Sequence, residues 1–169
     1  SIKLLNPKLG AFVLGDSCET KDTMGILQRC RNLRLNIINN MKTRNSSFDL
    51  HTCDSDSISS SLNDEDLNLM KGTMQNRDLL KQALIELEKD KLNHELIGDL
   101  LTAHHSLLRD VLGVSTPQIE SMLEASLQAG ALGGKINGSG GGGCMFSYAP
   151  DHPERVADAI EKSGGKAYI

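Results

Sequence analysis

The chain has 169 residues and a formal net charge of −4 at pH 7, and aromatic residues make up only 3% of it. This charge and the scarcity of aromatics argue against a nucleic-acid surface, and no apolar run approaches the ~18 residues that a membrane-spanning helix needs. The N-terminus lacks a signal-peptide layout, and the four cysteines are scattered, without zinc spacing. We therefore expect a cytoplasmic protein without a bound metal, and the absence of an initiating Met suggests a piece of a longer chain.

The first predicted elements are a strand and a long helix. Residues 10–14, GAFVL, form a short apolar run that ends at Gly15-Asp16-Ser17, as is typical of a buried strand. From about Asp22 to Met41, apolar residues recur at steps of three and four, which predicts a helix. Residues 43–66 are rich in Ser, Asp and Asn, so we expect a loop or insertion here and not a second domain.

The rest of the chain predicts further helices and three strands. Helical periodicity resumes near Leu67 and continues, with interruptions, to Val111. Thr116 can cap a helix that begins at Pro117 and stops at Gly130. The remaining predictions are strands over 133–137 and 144–148, a helix over about 152–163 and a closing strand over 165–169. The order predicts an α+β domain of the ferredoxin-like βαββαβ split fold, with a first crossover expanded into several helices.

A glycine-rich loop lies between the two strands of the predicted hairpin. Residues 138–143 have the sequence GSGGGG, whereas an ordinary hairpin turn needs only one or two glycines. The loop matches a dinucleotide fingerprint literally, but that motif requires a helix next, and CMFSY predicts a strand. Too little chain follows for a tether between domains. We therefore interpret the loop as a set of backbone N–H groups that an anion or a substrate approaches closely, and a wide turn that merely joins the two strands is the alternative.

Three segments resemble the GHMP kinases, the superfamily of galactokinase, homoserine kinase, mevalonate kinase and phosphomevalonate kinase. GALGGKINGSGGGGC, residues 130–144, closely resembles their third conserved motif. HHSLLRDVLGVSTPQIESML, residues 104–123, is similar to a galactokinase segment. VLGDSCETKDTMGILQRCRN, residues 13–32, lies where galactokinases carry a strand, a polar pair and a helix with two arginines, here Arg29 and Arg31. The resemblance extends over nearly the whole chain.

The resemblance implies one domain over residues 1–169 that is the C-terminal half of an ATP-dependent sugar kinase. In these kinases the N-terminal half supplies the loop around the ATP phosphates and, in most members, the catalytic Asp. The chain has neither, so we expect ATP and Mg²⁺ to be bound mainly by an absent N-terminal partner half. We also expect the isolated chain to be inactive. The sequence therefore identifies no catalytic residue. The chain is compatible with three origins: a fragment, a cleaved piece or a subunit of a split enzyme.

The sequence is compatible with two other functions. Galactokinases usually carry a sugar-contacting tyrosine shortly before the paired arginines, and here Ile26, Leu27 and Gln28 occupy that region. Because this tyrosine is missing, a mevalonate-type kinase half is an alternative to a galactokinase half. The chain is also compatible with a non-catalytic ligand-binding or regulatory module of the same fold.

The resemblance assigns the phosphate- and substrate-side cleft to the glycine loop, with Ser139 donating to a phosphate oxygen. The residues so assigned are Gly138, Ser139, Gly140, Gly141 and Gly142. Asp16 and Ser17 are candidates for the substrate side, and a helix cap or Asx turn explains them equally well.

Three basic side chains near these segments have simpler interpretations. Lys135 is interpreted as an exposed charge on an edge strand. His104 and His105 point about 100° apart on a helix and cannot share a metal ion well. We expect one histidine to pack and the other to be solvated.

Overall fold

The computed structural model describes residues 4–20, 23–54, 58 and 62–169. Its elements are β1 (Phe12–Asp16), α1 (Thr23–Arg44), α2 (Asp64–Leu87), α3 (His94–Asp110), α4 (Pro117–Gln128), β2 (Gly133–Ile136), β3 (Cys144–Tyr148), α5 (Pro153–Lys162) and β4 (Lys166–Tyr168). The predicted α+β class and order of elements are confirmed. The apolar run at 10–14 predicts the first strand two residues too early, and Asp22, the predicted start of α1, lies outside the described residues.

The four strands form one antiparallel sheet in the order β2-β3-β1-β4. β2 and β3 are the predicted hairpin, and β1 inserts between β3 and β4. Because β1 and β3 are antiparallel, Asp16 at the end of β1 pairs with Cys144 at the start of β3. The topology therefore brings the segment after β1 beside the glycine loop that precedes β3.

The main core lies between one face of the sheet and helices α4 and α5. Alternate residues of the strands point into it, including Val13 and Met145, which are fully buried. α4 contributes Ile119 and Met122, and α5 contributes Val156 and Ile160. Thr116 accepts a hydrogen bond from the Ile119 N–H and Pro117 begins α4, as the capping signals predict.

Helix α3 lies against β2 at backbone contact distance, over the opposite face of the sheet. A Cβ on Gly98 of α3 would lie 2.3 Å from the Leu132 carbonyl oxygen, and one on Gly133 would lie 1.9 Å from the Gly98 oxygen. Glycine is therefore required on both sides of this contact. Tyr148 packs beneath α3, and its hydroxyl is 2.5 Å from His94 Nδ1.

The predicted polar loop at 43–66 is shorter in the structure, because α1 extends to Arg44 and α2 already begins at Asp64. Ile58 within it is 1% exposed and packs in a small core whose other buried members lie on α1 and α2: Ile37, Met41, Met70 and Met74. Ile58 thus packs against these helices, and the described neighbours Phe48, Leu50, Cys53 and Leu62 pack against the same core. None of the helices in the described part is long and apolar enough to span a membrane.

Candidate functional site

Four segments meet at the end of the sheet where β1 stops and β3 starts. They are residues 16–19, the beginning of α1, the turn at 111–116 and the glycine loop at 138–143. The Ser17 N–H donates to the Gly143 carbonyl at 2.8 Å, and the Gly141 N–H donates to the Val114 carbonyl at 2.6 Å. The structure therefore brings Asp16 and Ser17 next to the glycine loop.

Five glycines of the loop adopt positive φ. Their values are 75° at Gly138, 81° at Gly140, 71° at Gly141, 97° at Gly142 and 76° at Gly143. A residue with a Cβ loses roughly 1–2 kcal/mol in this conformation. Packing is a second reason why glycine is required at position 140, because a Cβ there would lie 2.5 Å from the Val114 Cβ. The loop's own conformation and packing therefore account for part of its glycine content.

The remaining reason for the glycines lies in the backbone N–H groups of the loop. Among the described residues, only Gly141 of the loop donates its N–H to a protein carbonyl. Gly140 and Gly142 are themselves buried residues. The great majority of buried backbone N–H groups in proteins are paired, and backbone N–H groups without a protein partner can bind an anion. Backbone N–H groups of this kind are the type of donor that binds phosphate groups in other proteins.

The side chains beside the loop are held loosely or by local turns. Ser139 Oγ donates to the Gly140 carbonyl at 3.4 Å, a long contact that leaves the hydroxyl available to a stronger partner. Asp16 Oδ1 accepts from the Cys18 N–H at 2.9 Å, which is an Asx turn. Ser17 is buried, and its Oγ accepts from the Glu19 N–H at 3.4 Å. Both candidate residues therefore shape the turn after β1, and both lie beside the loop.

Glu19 is a site residue that the sequence did not identify. Its Oε2 accepts from Thr116 Oγ1 at 2.6 Å, and a Cβ on Gly142 would lie 3.3 Å from the same oxygen. The carboxylate thus joins the cap of α4 to the edge of the glycine loop. Its only sequence signal is its position three residues after a strand end, which gives no hint of a contact with Thr116.

Arg29, one of the two predicted arginines, stabilises the turn beneath the loop. Its Nη2 donates to the Leu112 carbonyl at 3.2 Å and to the Gly113 carbonyl at 3.3 Å. The Val114 carbonyl in the same turn accepts the hydrogen bond from the Gly141 N–H. Arg29 therefore supports the glycine loop indirectly, through this turn. Arg31 is exposed.

His105 connects three elements behind the loop. Its Nδ1 accepts the Ile136 N–H at 3.2 Å, so the ring proton lies on Nε2, which faces Glu120 Oε1 at 2.8 Å. Glu120 also accepts from Ser115 and from Arg109 Nη1, the latter at 3.2 Å. Burial alone would raise the pKa of Glu120, but the hydrogen bonds from Ser115 and His105 outweigh it and hold that pKa below its usual value.

The histidine pair is only partly as predicted. His105 is buried, as expected for one member, whereas His104, which was expected to be solvated, is half-buried. Burial, with a smaller contribution from nearby Lys135, lowers the pKa of His104 to about 4. Within the described residues, no group of three or more His, Cys, Asp or Glu side chains could hold a metal ion.

Comparisons with known proteins place the chain in a family. The family model of the GHMP kinases C terminal matches residues 80–166, just over half of the chain. The mevalonate kinase of Thermococcus gammatolerans is 44% identical over 89 residues, which are 53% of this chain and 26% of that protein. The galactokinase of Mycobacterium tuberculosis is 36% identical over 67 residues, 39% of this chain and 18% of that protein.

A solved structure extends the likeness to nearly the whole chain. Lactococcus lactis galactokinase complexed with galactose superposes with a TM-score of 0.83 and 18% identity, over 98% of this chain and 46% of that one. At this identity the match shows the fold alone. The chain spans about a quarter of the length of the curated mevalonate kinase it matches. From the family match, the fold and the position of the glycine loop, the chain belongs to the GHMP kinases and is the C-terminal part of one.

Proposed function

We propose that this chain supplies the glycine-loop side of the active site in an ATP-dependent kinase that phosphorylates a hydroxyl group of a small molecule. The observation that carries the proposal is the loop at 138–143, where five glycines have positive φ and only one N–H has a protein partner among the described residues. Phosphoryl transfer needs positioning and electrostatic stabilisation more than covalent chemistry from the protein. Backbone N–H groups aimed at a phosphate supply both.

The described residues fit a phosphate group better than they fit a metal ion. Gly138, Gly140 and Gly142 offer N–H groups, and the Ser139 hydroxyl offers one more donor. Two carboxylates border the loop, and both already accept hydrogen bonds: Asp16 from the Cys18 N–H and Glu19 from Thr116 Oγ1. ATP would supply the transferable γ-phosphate, and we propose that Mg²⁺ and most of the nucleotide are held by the rest of a longer protein. Here the loop would bind and orient the phosphate and exclude water from it.

Mevalonate is the substrate that we propose first, and a sugar such as galactose is the second. The mevalonate kinases from Thermococcus and Pyrococcus species are 39–48% identical to the matched segment, against 36% for the galactokinases. The absence of a tyrosine among Ile26, Leu27 and Gln28 also speaks against galactose. A sugar is kept as the second candidate because the structural similarity to L. lactis galactokinase extends over nearly the whole chain.

The order of the four strands in the sheet supports the proposed ferredoxin-like fold.

A coupled ADP-release assay on the longer protein tests the proposal, with mevalonate, galactose and related hexoses in parallel. We expect turnover with mevalonate, and we expect Ser139→Ala to lower kcat about 10- to 100-fold, because a donor to the phosphate is lost. Ser106→Ala is the matched control, since its hydroxyl bonds only to the Thr102 carbonyl within α3.

Three outcomes would contradict the proposal or part of it. Turnover with galactose alone would make the sugar the substrate. Equal activity of Ser139→Ala and Ser106→Ala would show that Ser139 does not reach the phosphate. No turnover with any substrate would favour a non-catalytic binding module.

A further inference from the structure

A large apolar cavity lies between α2, α3 and the face of the sheet opposite α4 and α5. Its volume is about 630 Å³, within the range of roughly 300–1,000 Å³ that is usual for small-molecule sites. The sheet contributes Phe12 and Phe146, α2 contributes Leu80 and Leu87, and α3 contributes Leu101 and His104. No residue of the glycine loop lines it, so the cavity is separate from the proposed phosphate site.

The polar groups of the cavity are basic or neutral. The residues that line it include His51, Arg77 and His104 but no Asp or Glu. Arg77 is already occupied, because its guanidinium pairs with Asp78 and donates to the Leu50 and Cys53 carbonyls. His104, by contrast, has no hydrogen-bond partner among the described residues.

Lys135 does not line the cavity itself, but its side chain lies over the ring of Phe146, which does. It pairs with Phe146 across β2 and β3, and its Nζ lies 5.1 Å from the Phe146 ring centroid. Its one hydrogen bond is to the Ile136 carbonyl at 2.8 Å, and no carboxylate of the described part forms an ion pair with it. The residue is half-buried, and a partly buried charge is stabilised by an opposite charge.

We propose that this cavity binds a fatty carboxylate, with its hydrocarbon chain between α2 and the sheet and its carboxylate bonded to Lys135 and His104. The chain would lie along Leu80, Leu87 and Phe12. One ammonium and one imidazole match a single negative charge, whereas a diphosphate would need more cations. The absence of acidic groups from the lining agrees with an anionic head. This proposal is independent of the proposed kinase function, since it uses none of the same residues.

Calorimetric titration of the chain with octanoate and decanoate, below the concentrations at which they form micelles, tests the proposal. We expect decanoate to bind roughly tenfold more tightly than octanoate, because two more methylene groups are buried. Decanol, which lacks the charge, is expected to bind roughly tenfold more weakly than decanoate. Decyl phosphate is included to separate a carboxylate site from a phosphate site.

Two pairs of variants locate the ligand. Lys135→Met should weaken decanoate binding about tenfold. Lys166→Met should leave it unchanged, because Lys166 also lies over an aromatic ring, that of Tyr168, but on the opposite edge of the sheet. Ala83→Phe should obstruct the cavity and weaken decanoate binding, whereas Ile85→Phe introduces the same side chain at an exposed position of α2. Circular dichroism of all four variants confirms that they are folded.

The proposal is overturned by any of four results. These are no binding of decanoate, equal binding of decanol and decanoate, tighter binding of decyl phosphate than of decanoate, or equal affinities in Lys135→Met and Lys166→Met. The titration is repeated on the longer protein. Loss of decanoate binding in the longer protein overturns the proposal as well, because another part of the protein would then cover the cavity.

Discussion

At the scale of single residues, the glycine loop shows two reasons for its composition acting together. Gly140 needs positive φ, and it also needs the space that Val114 would deny to a Cβ. Gly113 nearby has a φ of 60° but nothing within 4 Å of a Cβ. The two positions therefore separate the cost of the backbone conformation from the cost of packing.

We expect Gly113→Ala to lower the free energy of unfolding by about 1 kcal/mol and Gly140→Ala by about 2–4 kcal/mol. The first value is the cost of a left-handed conformation, and the second adds the overpacking against Val114. Urea denaturation of both variants measures the difference. Equal losses would show that the loop moves away from Val114 at no cost.

His104 predicts a pH dependence of stability. Its folded-state pKa of about 4 lies below its ordinary value, so the unfolded chain takes up a proton first as the pH falls. Stability is therefore complete above about pH 6.5 and declines toward pH 4, with a loss of about 2 kcal/mol near pH 5. His104→Leu should flatten this decline, whereas His152→Gln, at an exposed position, should not. An NMR titration of His104 that gives an ordinary pKa would contradict the prediction.

At the scale of elements, one carboxylate connects the helices behind the site. Glu120 of α4 binds His105 of α3, which in turn receives the Ile136 N–H of β2. These bonds hold α3, α4 and β2 together at the point where the glycine loop begins. The network explains how a buried histidine without a metal contributes to the site.

We expect Glu120→Gln to lower the free energy of unfolding by about 1 kcal/mol at neutral pH, because charged hydrogen bonds to partly exposed groups become neutral ones. The folded-state pKa of Glu120 lies below its usual value, so its contribution is present above about pH 4.3 and is lost as the pH falls through the folded pKa. Urea denaturation at several pH values should show the two proteins converging in acid. Glu124→Gln on the same helix is the control, and a gap that persists in acid would refute the assignment.

At the scale of the whole molecule, the chain is one side of a proposed two-sided active site. The loop offers donors for a phosphate, but the described residues contain neither a metal cluster nor a carboxylate free of structural bonds beside it. The chain matches only 46% of L. lactis galactokinase. The activity is therefore expected from a longer protein.

We expect the isolated chain to show no ADP release with mevalonate or galactose under conditions in which the longer protein turns over. The physical reason is that, in the proposed function, the loop only positions a phosphate, and the carboxylates beside it in the described part, Asp16 and Glu19, are both engaged in structural hydrogen bonds. Circular dichroism of the chain excludes misfolding as the cause of inactivity. Measurable turnover by the pure chain would show that it carries a complete site.

Local sequence patterns were enough to predict the class of the domain, the order of its elements, the cap of α4 and the place of the glycine loop. Periodicity, Pro117 and a run of glycines act within a few residues of the chain, so these features can be recognised without the fold. The contacts of Glu19 with the loop and of Arg29 with the turn that supports it became visible only in the three-dimensional packing. That packing also decided that His104 faces an apolar cavity and that Lys135 stacks on Phe146 beside it. Each of these contacts joins residues distant in the chain, and it depends on strand order and helix packing, which local pattern does not encode.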